Sequence, residues 1–369
     1  MYIFQHNKTW ITAGMLFLVL LVFRYFSAMA DAPRVVGGSA PSYAYLTSVA
    51  KERTLPPTVT PTPTLTPVPT PTPEPVTWFD TLAYYRDMAG LPQVGEYSTW
   101  SEGCRLHARY VVKNNLVTHY ESSGNPWYTS QGATAGQVSN VLGDWQLGLT
   151  DRYAIESWLQ TPFHAVGILD PQLVRTGFGS FSEDSGNIRY GAALDVIRGL
   201  GQLPRSVRFP IMWPGEGATV PLTMHTSGYP EALASCPGYT LPSGLPIIVQ
   251  VGPGYSAVYV TGHSVKKNGL EVASCVFDAG TYSNPDSGQQ SLARSILAAR
   301  DAVVIIPKKP LKRGATYEVS LTANGHTYTW SFNVAENTSA SEEVAANVGS
   351  APSAVDDASP LRPARGMPH

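Results

Sequence analysis

Hydrophobic positions recur with two different periods along the chain, and the change of period divides it into two folded regions. Between residues 78 and 200, apolar side chains recur every three or four positions, which is typical of amphipathic helices. Between residues 205 and 335, short apolar or β-branched runs are separated by Gly and Pro, which is typical of β-strands joined by turns. The pattern therefore predicts an α+β N-terminal region (78–200) followed by an all-β C-terminal region (205–335).

Helices are expected in the N-terminal region at residues 79–88, 99–115 and 150–161. Thr99 and Glu102 have the spacing of a capping box at the start of the second helix, and Pro162 ends the third. Two strand-like runs, 176–181 and 187–196, then flank a polar turn and should pair as an antiparallel hairpin. Helices followed by such a hairpin indicate a layered α+β domain.

Strands are expected in the C-terminal region at residues 220–226, 246–252, 257–265, 270–277, 302–308, 317–321 and 327–334. A helix over residues 290–300 interrupts them. Asn268-Gly269 and Asn324-Gly325 each join two of these runs, and Asn-Gly suits the type I′ turn of a β-hairpin. Six or seven strands at this spacing indicate a β-sandwich.

The N-terminal segment has the features of an export signal. An apolar run of 13 residues, 11–23, is too short to span a bilayer but fits the central part of a signal peptide. Ala28-Met29-Ala30 follows as a cleavage site, so residues 1–30 are predicted to be removed and the protein to be extracellular. Arg24 interrupts this pattern, and an uncleaved N-terminal membrane anchor is the alternative.

Two further segments lack the composition of a folded core. Residues 31–77 are predicted to be a disordered linker, because nine of the 21 residues from 55 to 75 are Pro and seven are Thr. Residues 336–369 combine Ala, Ser, Glu, Asp and Pro with almost no large apolar residues, which predicts a disordered tail.

Composition narrows the range of partners. The chain has 369 residues with 25 basic and 27 acidic side chains, a net charge of −2, and only 14% charged residues. This balance favours neither nucleic acid nor an anionic membrane surface as partner, and no Gly-rich phosphate loop or zinc-type Cys spacing occurs in the sequence. We expect a monomer associated with the cell envelope.

A series of motifs in the N-terminal region resembles a known family. It comprises Leu82-x3-Arg86-x3-Gly90-Leu91-Pro92, His119, Ala154-Ile155-Glu156-Ser157-Trp158-Leu159, Pro162-Phe163-His164-Ala165 and Gly177-Phe178-Gly179. The series is similar to the CAP superfamily, the SCP-like domains of cysteine-rich secretory and pathogenesis-related proteins, in their bacterial form. The resemblance implies an α/β/α sandwich with a cleft that carries two His and two acidic residues. In many members this cleft binds a divalent metal, and other members bind sterols or fatty acids elsewhere.

The resemblance places His119 and His164 at the two His positions of that cleft. Gln137 stands where the family has a carboxylate, and an amide is a poorer metal ligand that cannot act as a general base. Glu121 points to the same side as His119 if the segment is extended. His119, Glu121 and His164 are therefore expected to form a cluster that either holds Zn²⁺ with an open position or makes a hydrogen-bonded network. Neither form of this predicted cluster requires an organic cofactor, and the metal is optional.

Glu156 is a second acidic candidate, with a weaker argument. It lies two residues before Trp158, about 200° around the helix. If Trp158 is buried, Glu156 is expected to face solvent.

Three cysteines occur in this exported chain. Cys104 lies on the apolar face of the second helix and is expected to be a buried, inert thiol. Nothing around it resembles a site that stabilises a thiolate, which disfavours a protease that uses Cys104 with His107 or His119. Cys236 and Cys275 are left to pair as a disulfide.

The C-terminal region also resembles a family. Its end, from Pro307-x2-Pro310-Leu311 through Trp330-Ser331-Phe332, is similar to bacterial immunoglobulin-like domains. We therefore expect a secreted or surface-tethered, non-catalytic protein that binds a small ligand, lipid, peptide or divalent metal in a His-lined cleft. The alternatives are a cell-wall or protein hydrolase that activates water with a His/Glu pair, and an adhesion protein that uses only the β-region.

Overall fold

The computed structural model describes residues 77–337, Ser339 and the backbone of residues 355–357, and all of them belong to one compact unit. The predicted signal peptide, most of the linker and most of the tail lie outside the described residues. The α-helices are Trp78–Asp87 (α1), Ser98–Asn114 (α2), Ser130–Gly136 (α3), Asp151–Leu159 (α4), Pro162–Ile168 (α5) and Ser287–Ala298 (α6), and a 3-10 helix spans Ala232–Ser235.

The structure has helices and several β-sheets, which confirms the α+β class. The strands of the N-terminal region are Gly95–Glu96 (β1), Ser139–Asp144 (β2), Arg175–Thr176 (β3), Phe178–Ser182 (β4) and Tyr190–Asp195 (β5). The strands after it are Ile211–Trp213 (β6), Thr219–Val220 (β7), Met224–His225 (β8), Ser243–Gly244 (β9), Ile247–Gln250 (β10), Val260–Lys267 (β11), Leu270–Glu271 (β12), Ser274–Asp278 (β13), Ala302–Pro307 (β14), Thr316–Ala323 (β15), His326–Val334 (β16) and Val355–Asp357 (β17).

The predicted hairpin of the N-terminal region is confirmed. Strands β4 and β5 pair antiparallel, and β2 joins the other side of β5. Helices cover both faces of this sheet. On one face, Gly179 and Gly191 let the α2 backbone approach so closely that a Cβ on Gly179 would lie 2.3 Å from Arg105 N. On the opposite face, Phe178 packs against Trp78 of α1 and Trp158 of α4.

The outer edge of this sheet is formed by a segment of the predicted tail. Val355–Asp357 (β17) pairs antiparallel with β2, so the prediction of disorder from 336 to 369 does not hold for these three residues. The prediction failed there because edge pairing uses backbone groups, which the composition of a segment does not report.

The C-terminal region contains a two-stranded sheet, β8-β9, and two larger sheets. One has the strand order β13-β14-β10-β6 and the other the order β12-β11-β15-β16-β7, and both contribute buried residues to the core. All their neighbours are antiparallel except β16 and β7. The expected strand over 270–277 is two strands, because the chain leaves the five-stranded sheet at Val272 and enters the four-stranded sheet at Ser274.

The two predicted hairpin turns are confirmed, whereas the predicted helix cap is wrong. Both Asn-Gly pairs have positive φ at both residues, as a type I′ turn requires, so both hairpins are confirmed. The capping box at Thr99 is wrong, since α2 begins after Tyr97, which makes no side-chain cap. A capping box instead begins α1, where Thr77 Oγ1 accepts from Asp80 N at 3.1 Å and Asp80 accepts from Thr77 N at 3.2 Å.

The N-terminal and C-terminal regions share one continuous hydrophobic core. Phe163 of α5 packs against Phe277 and Tyr282, with ring centroids 6.2 and 5.3 Å apart. Tyr85 of α1 packs edge-on against Trp213 of β6 at 5.8 Å. Apolar area removed from water in this way stabilises by about 25 cal/mol per Å². The boundary at residues 200–205 is therefore not a boundary of the core.

Fully buried polar groups also join the two regions. The Arg300 guanidinium Nε lies 3.2 Å from Asp170 Oδ2, and both side chains have no exposed surface. Gln250 Nε2 donates to Leu169 O at 2.7 Å, and His225 Nδ1 donates to Gln160 O at 2.7 Å. We refer to these residues and the aromatic contacts above as the interface between the two regions.

Candidate functional site

A buried histidine, named above only as a partner for Cys104, lies at the centre of the candidate site. His107 is on the inner face of α2, between Cys104 and Val111, and has no exposed surface. Its Nδ1 lies 2.9 Å from Glu121 Oε1, and its Nε2 lies 2.7 Å from Thr118 O. A polar ring on the apolar face of a helix needs such partners, because an unpartnered buried polar group costs several kcal/mol.

The bonding of His107 fixes where its protons lie. A carbonyl oxygen only accepts hydrogen bonds, so Nε2 donates to Thr118 O. At the other nitrogen a single proton lies between Nδ1 and Glu121 Oε1. The second Glu121 oxygen, Oε2, accepts from Thr129 N at 3.0 Å, and the carboxylate has no exposed surface. Both oxygens of Glu121 therefore have partners inside the protein.

Two glycines of α3 make room for this pair. A Cβ on Gly136 would lie 2.4 Å from His107 Cε1, and a Cβ on Gly132 would lie 2.4 Å from Glu121 Oε1. Both distances are far below van der Waals contact. The Gly- and Ala-rich sequence of α3 is thus what allows the helix to lie directly on the His107–Glu121 pair.

Residues 118–121 are held at both ends by this pair. His107 bonds to Thr118 O at one end and to Glu121 at the other. Between them, His119 is half-buried and Tyr120 is 71% exposed. His119 Nδ1 donates to Gly136 O at 2.6 Å, which orients the ring. We refer to residues 118–121 as the display segment.

Glu121 therefore lies beside His107, and its role differs from the predicted partnership with His119 and His164. In an extended segment residues 119 and 121 point to the same side, but here His119 bonds to the end of α3 while Glu121 enters the core.

His164 occupies a different environment from His119. It lies in the first turn of α5, shortly after α4 ends at Leu159, and is fully buried. Thr161 Oγ1 donates to Trp158 O at 3.0 Å, so it accepts from His164 Nδ1, also at 3.0 Å. The third helix ends before Pro162 as predicted, but Pro162 also begins α5, so His164 lies within a further helix. A shared cleft with His119 stays a prediction.

The two weaker candidates, Gln137 and Glu156, lie in different environments. Gln137 is exposed at the end of α3, and its amide donates to Ala133 O at 3.3 Å. Glu156 is fully buried, which corrects the expectation that it faces solvent. Its Oε1 accepts from Tyr85 Oη and from Arg152 Nε, each at 2.7 Å. Burial, together with the Glu156 carboxylate, raises the pKa of Tyr85 well above its usual value.

The geometry of the site bears on metal binding. In the part of the chain that the structure describes, no group of three or more His, Cys, Asp and Glu side chains is arranged to hold a metal ion. His119, with Nδ1 bonded to a carbonyl, has the orientation common among metal-ligating histidines. A Zn²⁺ site remains a prediction.

The cysteines are as expected. Cys236 and Cys275 form a disulfide, and Cys104 is buried and free. Its thiol donates to Gly177 O at 3.3 Å, and burial, with a smaller effect of Asp195, raises its pKa to about 12. A thiol with this pKa is not a nucleophile at neutral pH.

Comparison with known proteins gives no further guide. No protein-family model, curated protein or solved structure matches the chain.

Proposed function

We propose that this chain is an exported, non-catalytic binding protein whose N-terminal region is of the CAP type and whose C-terminal region is an immunoglobulin-like sandwich. Its ligand contacts would lie on the display segment, at His119 and Tyr120. The ligand classes that fit are a small polar molecule, a lipid or a peptide, and a divalent metal if further ligands join His119. The fold supports this, since helices lie on both faces of the β2-β5-β4 sheet and two largely antiparallel sheets follow.

The observation that carries the proposal is the burial of Glu121. A hydrolase of the kind considered above needs a carboxylate that reaches water beside a histidine. Glu121 has no exposed surface, and its two oxygens bond to His107 and to Thr129 N. It is therefore engaged in holding the backbone, and this supports binding over catalysis.

The rigidity of the display segment also suits binding. Ordering a flexible loop on association costs free energy, and a segment already held in place avoids this cost. The tyrosine ring of Tyr120 offers a large amphipathic contact area, and the His119 ring beside it is held in one orientation by Gly136 O.

Export is supported by the disulfide, because such bonds persist in oxidising compartments. Among the described helices, none is both long enough and apolar enough to cross a membrane. The N-terminal segment, for which both cleavage and retention were considered, lies outside the described residues.

Binding without turnover can be tested directly. The turnover assay incubates the wild-type protein and the variants His119→Gln and Glu121→Gln with a fluorescent casein and with peptidoglycan. The binding assay titrates the same three proteins separately with ZnCl₂, palmitate and a short apolar peptide, and NMR follows the histidine imidazole signals. We expect no turnover in any of the three proteins, and saturable changes at His119 for at least one probe. His326→Gln, at an exposed histidine of β16, is the matched control and should leave the titration unchanged. Turnover that is abolished by Glu121→Gln would instead establish the hydrolase.

A further inference from the structure

The lysines of the folded regions are unevenly distributed. Of the six lysines between residues 77 and 337, five lie in two short stretches, Lys266-Lys267 and Lys308 to Lys312, and Arg313 follows directly. We refer to Lys266, Lys267, Lys308, Lys309, Lys312 and Arg313 as the basic end. The sixth lysine, Lys113, is on α2.

The fold brings these two stretches to one end of the C-terminal region. Lys267, at the end of β11, pairs with Tyr317 near the start of β15. The Lys312 backbone N–H donates to Tyr317 Oη at 2.9 Å, and the Lys308 N–H donates to Ala273 O at 2.8 Å. The ends of β11 and β14 and the starts of β13 and β15 therefore meet here.

Few carboxylates oppose this charge. Glu271 Oε1 is 3.9 Å from Lys266 Nζ, Glu318 pairs with Lys266 across the strands, and Glu336 lies beside Gly314. Within the described part of the chain, no carboxylate comes within ion-pair distance of the lysines at 308, 309 and 312. Five lysines, and Arg313, whose guanidinium donates to Pro221 O and Ala335 O, thus lie near three carboxylates, although the whole chain has a net charge of −2.

Exposed apolar side chains lie among these lysines. Leu270 is 71% exposed and follows the Asn268-Gly269 turn at the tip of the β11–β12 hairpin. Leu241, which is 40% exposed, comes just before β9, whose Gly244 packs on Pro307 and Lys309. Leu270 thus places an exposed apolar side chain directly beside Lys266 and Lys267.

We propose that the basic end docks on an anionic lipid bilayer, with the lysines at the headgroups and Leu270 inserted at the level of the acyl chains. Lysine side chains can extend to phosphate groups while an adjacent apolar side chain enters the membrane interface. A soluble polyanion would use the lysines but leave Leu270 in water, so the combination favours a membrane. The net charge of the whole chain disfavours an anionic partner, but it does not reflect the local excess of positive charge at the basic end. The surface is separate from the display segment and does not depend on its ligand.

Co-sedimentation of the full chain with vesicles tests this proposal. Vesicles of phosphatidylcholine with phosphatidylglycerol should bind the wild-type protein, vesicles of phosphatidylcholine alone should not, and salt should weaken the binding. Lys308→Gln/Lys309→Gln should weaken it roughly 30-fold, because each lysine near an anionic surface contributes on the order of 1 kcal/mol. The matched control is Arg205→Gln/Arg208→Gln, which removes the same charge from exposed positions elsewhere in the region.

A second pair of variants tests the role of the leucine. Leu270→Ser should weaken vesicle binding several-fold, whereas Leu147→Ser, at a 45% exposed position of the N-terminal region, should not. Equal binding to both vesicle types, or binding to neither, would overturn the proposal. If soluble polyphosphate binds as tightly as the vesicles and Leu270→Ser has no effect, the basic end is a polyanion site and the membrane assignment is wrong. The salt dependence of the wild-type protein decides the electrostatic part even if a variant folds poorly.

Discussion

Two buried polar clusters, the candidate site and the interface between the two regions, use histidine in different ways. In the site, both ring nitrogens of His107 have partners, Glu121 and Thr118 O. In the interface, His225 Nδ1 bonds to Gln160 O, but within the described structure its buried Nε2 has no hydrogen-bond partner. Burial lowers the pKa of His225 to about 4.

The two clusters contribute to different properties of the molecule. In the site, polar partners hold a short surface segment in one conformation. In the interface, burial dominates, and the polar groups link two regions at the cost of desolvation. We therefore expect the interface to govern global stability and the site to govern local order.

The largest effect should come from the buried ion pair. Arg300→Met leaves the Asp170 carboxylate in the interface without this guanidinium, and we expect a loss of about 3–5 kcal/mol in the free energy of unfolding. Urea unfolding followed by tryptophan fluorescence measures it. As control, Arg105→Met removes an exposed ion pair with Glu102 and should cost less than about 1 kcal/mol. Similar losses in the two variants would mean that the interface does not govern stability.

A pH-dependent effect should follow from His225. The unfolded chain takes up a proton on this ring near pH 6.5 and the folded chain only near pH 4, so acidification through this window favours unfolding. The difference reaches about 3 kcal/mol at pH 4. His225→Asn keeps a donor for Gln160 O but cannot ionise, so its stability should fall less between pH 7 and pH 4 than that of the wild-type protein.

Urea unfolding at a series of pH values measures the difference between the two proteins. Burial raises the pKa of the Asp195 carboxyl, which has the opposite effect on stability but is common to both proteins. His326→Asn, at an exposed position, is the control. Parallel pH profiles for His225→Asn and the wild-type protein would contradict the assigned role of this ring.

The smallest effect should be local to the site. Gly136→Ala places a methyl group against the His107 ring, and overpacking of this kind costs about 1–3 kcal/mol. Gly124→Ala is the matched control, since a Cβ there meets nothing within 4 Å. Thermal unfolding gives the stability change, and hydrogen exchange at residues 118–121 should rise only for Gly136→Ala. Unchanged exchange in that variant would show that His107 does not hold the display segment.

The parts of the fold that could be predicted from sequence depend on near neighbours in the chain. Asn268-Gly269 and Asn324-Gly325 specify their turns through their own φ preferences. Thr150 was expected at the start of the third helix, and its side chain caps α4 by accepting from Tyr153 N. The disulfide followed from the elimination of Cys104, whose helical position indicated burial.

The missed features depend on contacts between distant residues. The sequence around Phe163 does not indicate that its ring packs against Phe277. Glu156 faces the core, where it accepts a hydrogen bond from Tyr85, a residue far away in the sequence. One signal for the site was available: His107 shares the apolar face of α2 with Cys104 and Val111. A histidine in that position requires a buried partner, but nothing in the local sequence identifies Glu121 as that partner.

The ion pair between Arg300 and Asp170 has a consequence for how such a chain can be recombined. The guanidinium comes from the C-terminal region and the carboxylate from the N-terminal region. A hybrid that joined residues 78–200 to an unrelated β-domain would bury Asp170 against a surface not selected to receive it. Substituting one part therefore requires substituting its counterpart, and the two regions behave as one unit of exchange in any recombination or engineering of the protein.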